Sequence, residues 1–490
     1  MHWDSLQFDS GGATPIYRQL SDRLAGWIRE GALADGSRLP PTRELAGRLG
    51  LNRTTVAAAY EALEQEGLLQ AHVGRGSFVS APARPAARLD WEARWKPSLA
   101  APQTLAPAEA GALNFASWRP AAEPWAIERL RRAATEVLAA RGPAILDLGP
   151  AEGYPPLREL LWAQMKREGI AQPGDELLIT SGCQQGLDLA AKVLVGPGET
   201  VLLEDPVYPG ARDLFRAAGA EVRGVEVGPG GVSMADLEQE LARSRPRLMV
   251  LTPSFQNPTG ASLSLDARRE VLRLASRFQV PVVENDVYAG LRYKGNRTAS
   301  LKELDTQGLV IHLRSFSKAA FPGLRVGWLV APRAVARRLA AAKQLTDLHT
   351  DQLSQAVLAR LAEDGTLAKR RERLRSAGAV RLEAALEAAR RELPEGAGVW
   401  TPEGGAHLWV RLGEPSDASE LALRARAHKL LFVPGRYFAV RRPQTSALRF
   451  TFAGAEPDEI RRGFEILGRL ARARPSRAAA GTRHGIPALV

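Results

Sequence analysis

Between Leu113 and residue 331 short apolar runs alternate with stretches of helical periodicity, and no other feature narrows the fold as much. The strand candidates are 177–180, 201–204, 222–227, 248–252, 281–285, 310–314 and 326–331. Helical segments separate several of them. Strands joined through helices build a mostly parallel sheet covered on both faces. Such open sheets bind ligands at the carboxyl ends of their strands. The expected body is therefore α/β, with its chemistry along one sheet edge. Residues 350–474 read as mainly helix with a few strands. They are expected to form a smaller C-terminal domain together with the residues that follow 112.

Five motifs fall at the ends of those strands. Thr180–Leu187 follows a strand and opens a helix, which offers free backbone N–H groups and a positive helix end to a phosphate. Glu204–Gly210 brings Tyr208 to the same edge, Thr252–Gly260 contributes Asn257, and Val282–Tyr288 ends a buried strand with Asp286. Last comes Arg314–Gly327, with Ser315, Ser317, Lys318 and Arg325. A lysine just past a strand end, beside small hydroxyl residues, is placed to act as a desolvated amine nucleophile. These residues suit a pyridoxal phosphate site. Lys318 supplies the Schiff-base amine and Asp286 the acid that keeps the pyridine nitrogen protonated. Asn257 and Tyr288 are candidates for the phenolic oxygen, and Tyr208 for stacking on the ring. Gly182, Cys183, Gln184, Ser315, Ser317 and Arg325 are candidates for the phosphate. Arg449, in Leu448–Phe452, is a candidate clamp for a carboxylate. No metal site is read.

The first 80 residues follow a different pattern. A helix is expected over 14–32, with Thr14 as cap and an apolar stripe of Ile16, Leu20, Leu24 and Ile28. A short helix capped by Thr42 and ended by Gly50 follows, then a third capped by Asn52 and running to about Glu66. Val73–Val79 reads as a tight hairpin. Three helices and a hairpin make a winged helix-turn-helix, whose third helix would present Arg53, Thr54 and Thr55 to base edges. Arg38 and Arg43 would reach phosphate, with Arg75 and Gly76 at the wing tip. Between residues 36 and 60 there are four arginines and one acid, Glu44, which favours duplex DNA as partner.

The chain has 490 residues, which calls for more than one core. Its net charge of +12 is weaker evidence for DNA than it looks, because residues 469–490 carry five arginines and no acid. The single cysteine, Cys183, excludes an intramolecular disulfide. Met1–Asp4 opens no signal peptide and no apolar run is long enough to span a bilayer, so a soluble, cytoplasmic protein without a membrane partner is expected. The expected division is 1–80 for the DNA-binding head, 81–112 for an Ala/Pro-rich linker in which Trp91 and Trp95 could dock a short helix, 113–474 for the body, and 475–490 for a basic disordered tail.

Two resemblances sharpen this reading. Ser37–Ala46, Asn52–Val56 and Leu63–Leu69 resemble the GntR-type DNA-binding domain over residues 14–79. From Leu113 to about Leu470 the chain resembles class I aminotransferases of fold type I, through Asn257–Gly260, Asp286–Tyr288 and Ser315–Lys318. That resemblance implies a homodimer with the site at its two-fold interface. Where that family often has a tyrosine reaching the partner subunit's phosphate, this chain has Leu148. A GntR-type head on such a body looks like the MocR (GabR- and PdxR-like) regulators. The resemblance implies a regulator that binds operator DNA and senses pyridoxal phosphate, an amine or an amino acid, with little or no complete transamination. A working aminotransferase with an appended head, and a DNA-binding protein on an inert scaffold, are the other readings.

Overall fold

The computed structural model describes residues 6–11, 14–72, 74–80, 89–91, 111–118, 123–413, 415–441 and 443–473, together with Trp3, Arg94 and Pro120. The expected linker lies outside the described residues except for 89–91, 94, 111 and 112. The tail 475–490 and the expected docking of Trp95 also lie outside them. The chain divides into two units, residues 1–96 and 97–490.

The first unit holds α1 (Ile16–Arg29), α2 (Thr42–Leu49), α3 (Arg53–Gln65) and a hairpin of β1 (Leu69–His72) and β2 (Gly76–Val79). Leu20, Leu24, Ile28, Leu45, Val56, Tyr60 and Leu63 meet in one core. Burying a side chain of this size contributes about 1.5–3 kcal/mol. Asn52 caps α3 by accepting from the Thr54 N–H at 3.2 Å, and Gly50 ends α2 at φ +63°. The two other expected caps are corrected. Pro15 and Pro41 occupy the cap positions of α1 and α2, and neither helix has a side-chain cap. The rigid φ of proline starts both helices without a hydroxyl. The wing also gains an edge that alternation did not reveal. Leu39 N–H donates to Ser77 O, and Val79 N–H donates to Ser37 O, both at 2.9 Å.

The second unit begins with β3 (Leu113–Asn114). Its main sheet contains β4 (Asp175–Thr180), β5 (Thr200–Asp205), β6 (Glu221–Gly228), β7 (Gly231–Val232), β8 (Leu248–Leu251), β9 (Val282–Asn285), β10 (Val310–Ser315) and β11 (Gly327–Pro332). The strand order is β4-β11-β10-β9-β8-β5-β6-β7. Neighbours from β10 through β6 are parallel, whereas β11 runs antiparallel to both β4 and β10. All seven expected strands are present, within two residues at each end. The direction of β11 was not readable, because a strand buried on both faces carries the same apolar run either way. Helices cover both faces and complete two apolar layers.

A second, four-stranded sheet contains β12 (Gly398–Trp400), β13 (His407–Arg411), β15 (Val433–Pro434) and β16 (Ala447–Thr451). The remaining short strand, β14 (Leu430–Leu431), pairs in parallel with β3. Residues just past 112 thus join the C-terminal domain, where Phe115 stacks on Phe450 at 4.0 Å. Among the described residues no helix is long and apolar enough to cross a membrane.

Candidate functional site

Because β4, β5, β8, β9 and β10 run the same way, their carboxyl ends share one edge of the sheet. A cavity of about 570 Å³ opens there. Cys183, Gln184, Tyr208, Asn257, Tyr288, Ser315, Ser317, Lys318 and Arg325, all expected from the sequence, line it. Thr252 and Asn285 join them. Asp286 is buried immediately behind, between the lining residues Asn285 and Val287.

Gly182 caps the helix Cys183–Leu194 with no side chain of its own. It has φ +87°, and a Cβ there would come within 2.6 Å of Arg325 Nη2. Only glycine lets the guanidinium lie over this helix end. Arg325 donates to Ser317 Oγ at 3.1 Å and to Ser181 O at 3.2 Å. Free N–H groups, a helix dipole and a guanidinium therefore converge on one spot, the make-up of an anion cradle. Ser315 lines the cavity and also holds the local turn. Its hydroxyl donates to Ser317 Oγ or Val326 O and accepts from Ser317 N–H, so it shapes the turn that carries Lys318.

Asp286 Oδ2 accepts from His312 Nε2 at 3.1 Å and from Arg314 Nε and Nη2 at 3.2 and 3.1 Å. Burial pushes this carboxyl up, but Arg314 and then His312 outweigh it and hold it below its ordinary value. Tyr288 is also fully partnered. Its hydroxyl meets His407 Nε2 at 3.0 Å, and His407 Nδ1 meets Thr451 Oγ1 at 3.0 Å. Burial, with Arg449 and Lys318 adding to it, keeps His407 well below its ordinary pKa, so the ring is neutral. Tyr208 lies with its ring against Gly210, where a Cβ would come within 2.4 Å.

Arg449 is buried on β16. It donates to Asn257 Oδ1 at 2.9 Å and to the Ala116 carbonyl, and it rests over the Phe438 ring. Its Nε is buried without a hydrogen-bond partner. Burial lowers it to about 10, which leaves it charged at neutral pH. Lys318 Nζ donates to the Trp118 carbonyl at 3.3 Å and lies 5.6 Å from the Trp118 ring. The segment after β3 thus touches both key cations through Ala116 and Trp118. Nothing in the sequence marks these backbone contacts. His407 and Arg314 are equally silent, since a lone histidine in a strand is usually core and an arginine at a strand end usually meets solvent.

In the first unit Arg53 and Thr54 are exposed at the start of α3, and Thr55 is half-buried beside them. Arg43 and Arg75 are exposed. Arg38 is exposed on the wing edge, and its guanidinium crosses Gly76, where a Cβ would come within 2.9 Å of Nε. Among the described residues no carboxylate lies within ion-pair distance of these four arginines. Arg29 and Arg48, by contrast, pair with Glu66 and Glu44.

Residues 116–467 match the model of the aminotransferase class I and II family, and residues 16–79 match that of the bacterial regulatory proteins of the gntR family. The chain is 38% identical to 2-aminoadipate transaminase of Thermus thermophilus, over 73% of this chain and 90% of that one. It is 32% identical to the HTH-type transcriptional regulator TauR of Rhodobacter capsulatus, over 96% of this chain and 99% of that one. The probable rhizopine catabolism regulatory protein MocR of Rhizobium meliloti is 28% identical over 94% and 95%. Among solved structures, alpha-aminoadipate aminotransferase of Thermus thermophilus, complexed with N-(5'-phosphopyridoxyl)-L-leucine, has 36% identity and a TM-score of 0.72. That likeness covers 78% of this chain and 98% of that one. The chain belongs to the aminotransferase class I and II family, and its gntR-type DNA-binding head places it among the MocR-type regulators.

Proposed function

We propose that the cavity holds pyridoxal phosphate and that this chain is a transcriptional regulator whose body senses an amine or amino acid, or the cofactor itself. The donor set suits the group. Among the described residues Lys318 is the only lysine in the cavity wall, Asn285 Oδ1 is buried there without a partner, and the Gly182–Arg325 cradle suits an anion. Lys318 would hold the aldehyde carbon, Asp286 the ring nitrogen, Asn257 and Tyr288 the phenolic oxygen, and Tyr208 a ring face. The helix end at Gly182–Gln184, Ser317 and Arg325 would hold the phosphate. When bound, the cofactor supplies an electrophilic carbon for amines and an electron sink.

The observation that carries the sensor reading is the double contact of the segment 113–118 with Arg449 and Lys318. A carboxylate on Arg449 competes with the Ala116 carbonyl for the guanidinium, and an amine that replaces Lys318 alters its contact with Trp118. Both events alter the contacts that hold residues 113–118. A ligand shifts such an equilibrium only through its differential affinity for the two states. The neutral Tyr288–His407–Thr451 chain gives protons a defined path beside the site.

Purified protein is expected to be yellow, and Lys318→Ala to lose the borohydride-reducible adduct. A colourless protein that takes up no added cofactor overturns the reading. A homodimer is the expected assembly. Leu146 and Leu148 are about three-quarters exposed beside the turn whose Gly149 lies against Gln352. Leu345 and Leu348, just before Gln352, are also exposed. Sedimentation of a monomer at micromolar concentration with cofactor present contradicts this assembly. The likeness to a transaminase over the body favours one second reading, a working aminotransferase. Sustained turnover of an amino acid with a keto-acid acceptor would establish it.

A further inference from the structure

We propose that Arg314 weakens the hold of Asp286 on a proton at the cofactor's ring nitrogen, and that Glu168 limits how far it does so. The inference rests on the cofactor reading above. Arg314 is the penultimate residue of β10, just before Ser315, and its guanidinium bridges two carboxylates. Nε and Nη2 reach Asp286 Oδ2, while Nη1 lies 2.5 Å from Glu168 Oε2. His312 Nε2 reaches the same Asp286 oxygen. Among the described residues His312 Nδ1 is buried without a partner, so Nε2 is the ring nitrogen whose N–H faces an acceptor, the carboxylate. Three N–H donors from one strand thus fall on Oδ2. Among the described residues Oδ1 accepts none, and it remains for the N–H of a bound ring.

The charges decide the sign. A carboxylate stabilised by an adjacent guanidinium is less basic, so it retains a neighbouring N–H proton less strongly. The guanidinium charge also directly disfavours a cationic ring beside it. Glu168 is the counterweight. Burial pushes its carboxyl up, but Arg314 foremost holds it below its ordinary value, so it stays charged and draws on the same cation. Arg268, Glu284 and Cys183 also lie within electrostatic reach of Asp286. None of them is altered by a change at residue 314 or 168. A ring nitrogen that is only partly protonated is a weaker electron sink. Such a site binds amines while converting them slowly, which is what a sensor requires.

The test is the nitrogen resonance of the full chain loaded with pyridoxal phosphate carrying nitrogen-15 in its ring, read at one fixed pH. Arg314→Gln is expected to move it upfield, toward the protonated ring, and Glu168→Gln to move it downfield. Arg314→Lys, which keeps the charge, is expected to stay near the wild type. A purely structural role predicts that both Gln variants loosen Asp286 and shift the resonance the same way. That common direction, or an unmoved resonance in both, overturns the inference. Should Arg314→Gln take up no cofactor, Glu168→Gln decides alone, and an unmoved resonance there overturns it. A wild-type protein that binds no cofactor overturns the reading of the site itself.

Discussion

The two units use arginine in opposite ways. In the head Arg38, Arg43, Arg53 and Arg75 are exposed and face no carboxylate within ion-pair distance among the described residues. In the body Arg268, Arg370 and Arg449 are almost wholly buried, and Arg314 is mostly so. The head thus keeps charge available for a polyanion outside the molecule. The body, besides its exposed arginines, turns these four inward, where a guanidinium either braces backbone or shapes the cavity. The difference teaches that arginine count alone says little about a partner. Where the guanidinium's hydrogen bonds go says much more.

The comparison breaks most visibly at Arg268. It donates to Leu263 O at 3.1 Å, Ala299 O at 3.1 Å, Pro253 O at 2.9 Å and Ser254 Oγ at 2.8 Å. Those partners fix the start of the turn that carries Asn257. Arg268→Met removes four hydrogen bonds, leaving Pro253 O only the Leu263 N–H, and is expected to destabilise the body by about 3–5 kcal/mol. Chemical denaturation followed by tryptophan fluorescence measures it. A loss under about 1 kcal/mol, the range of an exposed ion pair, would mean that burial did not matter.

A head arginine sharpens the contrast from the other side. Arg53→Ala is expected to leave folding unchanged, cost about 1–3 kcal/mol in operator affinity and relax base preference. Arg43→Ala has a smaller effect of another kind. It weakens all duplex sequences alike and lowers the salt slope by about 1. Gel shifts at several salt concentrations separate the two. Equal, sequence-blind losses for both would remove Arg53 from base readout.

The sequence made the sheet legible because its strands are unbroken apolar runs between helical stretches. The motifs at their ends were legible because each combines a turn former with a reactive or hydrogen-bonding side chain. Two kinds of feature stayed hidden. The direction of β11 leaves no trace in a run buried on both faces. Contacts such as Ala116 with Arg449, Trp118 with Lys318, His407 with Tyr288 and Arg314 with Glu168 join residues 119–333 positions apart. Only the folded chain brings them together, and a backbone carbonyl carries no residue-type signal at all. The head was read nearly whole because its caps, turns and exposed cations are local. Even there, proline took the two cap positions expected for threonine.

The central claim is that occupancy of the cavity is felt by the head, and operator affinity tests it most directly. Binding of a fixed operator duplex is to be measured for the apo, cofactor-loaded and amine-bound forms of the wild type and of Lys318→Ala. Coupling between sites typically amounts to about 1–3 kcal/mol, or roughly 5–150-fold in affinity. The wild type is expected to change its affinity or footprint by such a factor on loading. Lys318→Ala is expected to lose that response while still binding DNA through an intact head. Identical affinity and footprint in all three wild-type forms would contradict the account, and would leave the body as a scaffold for the head.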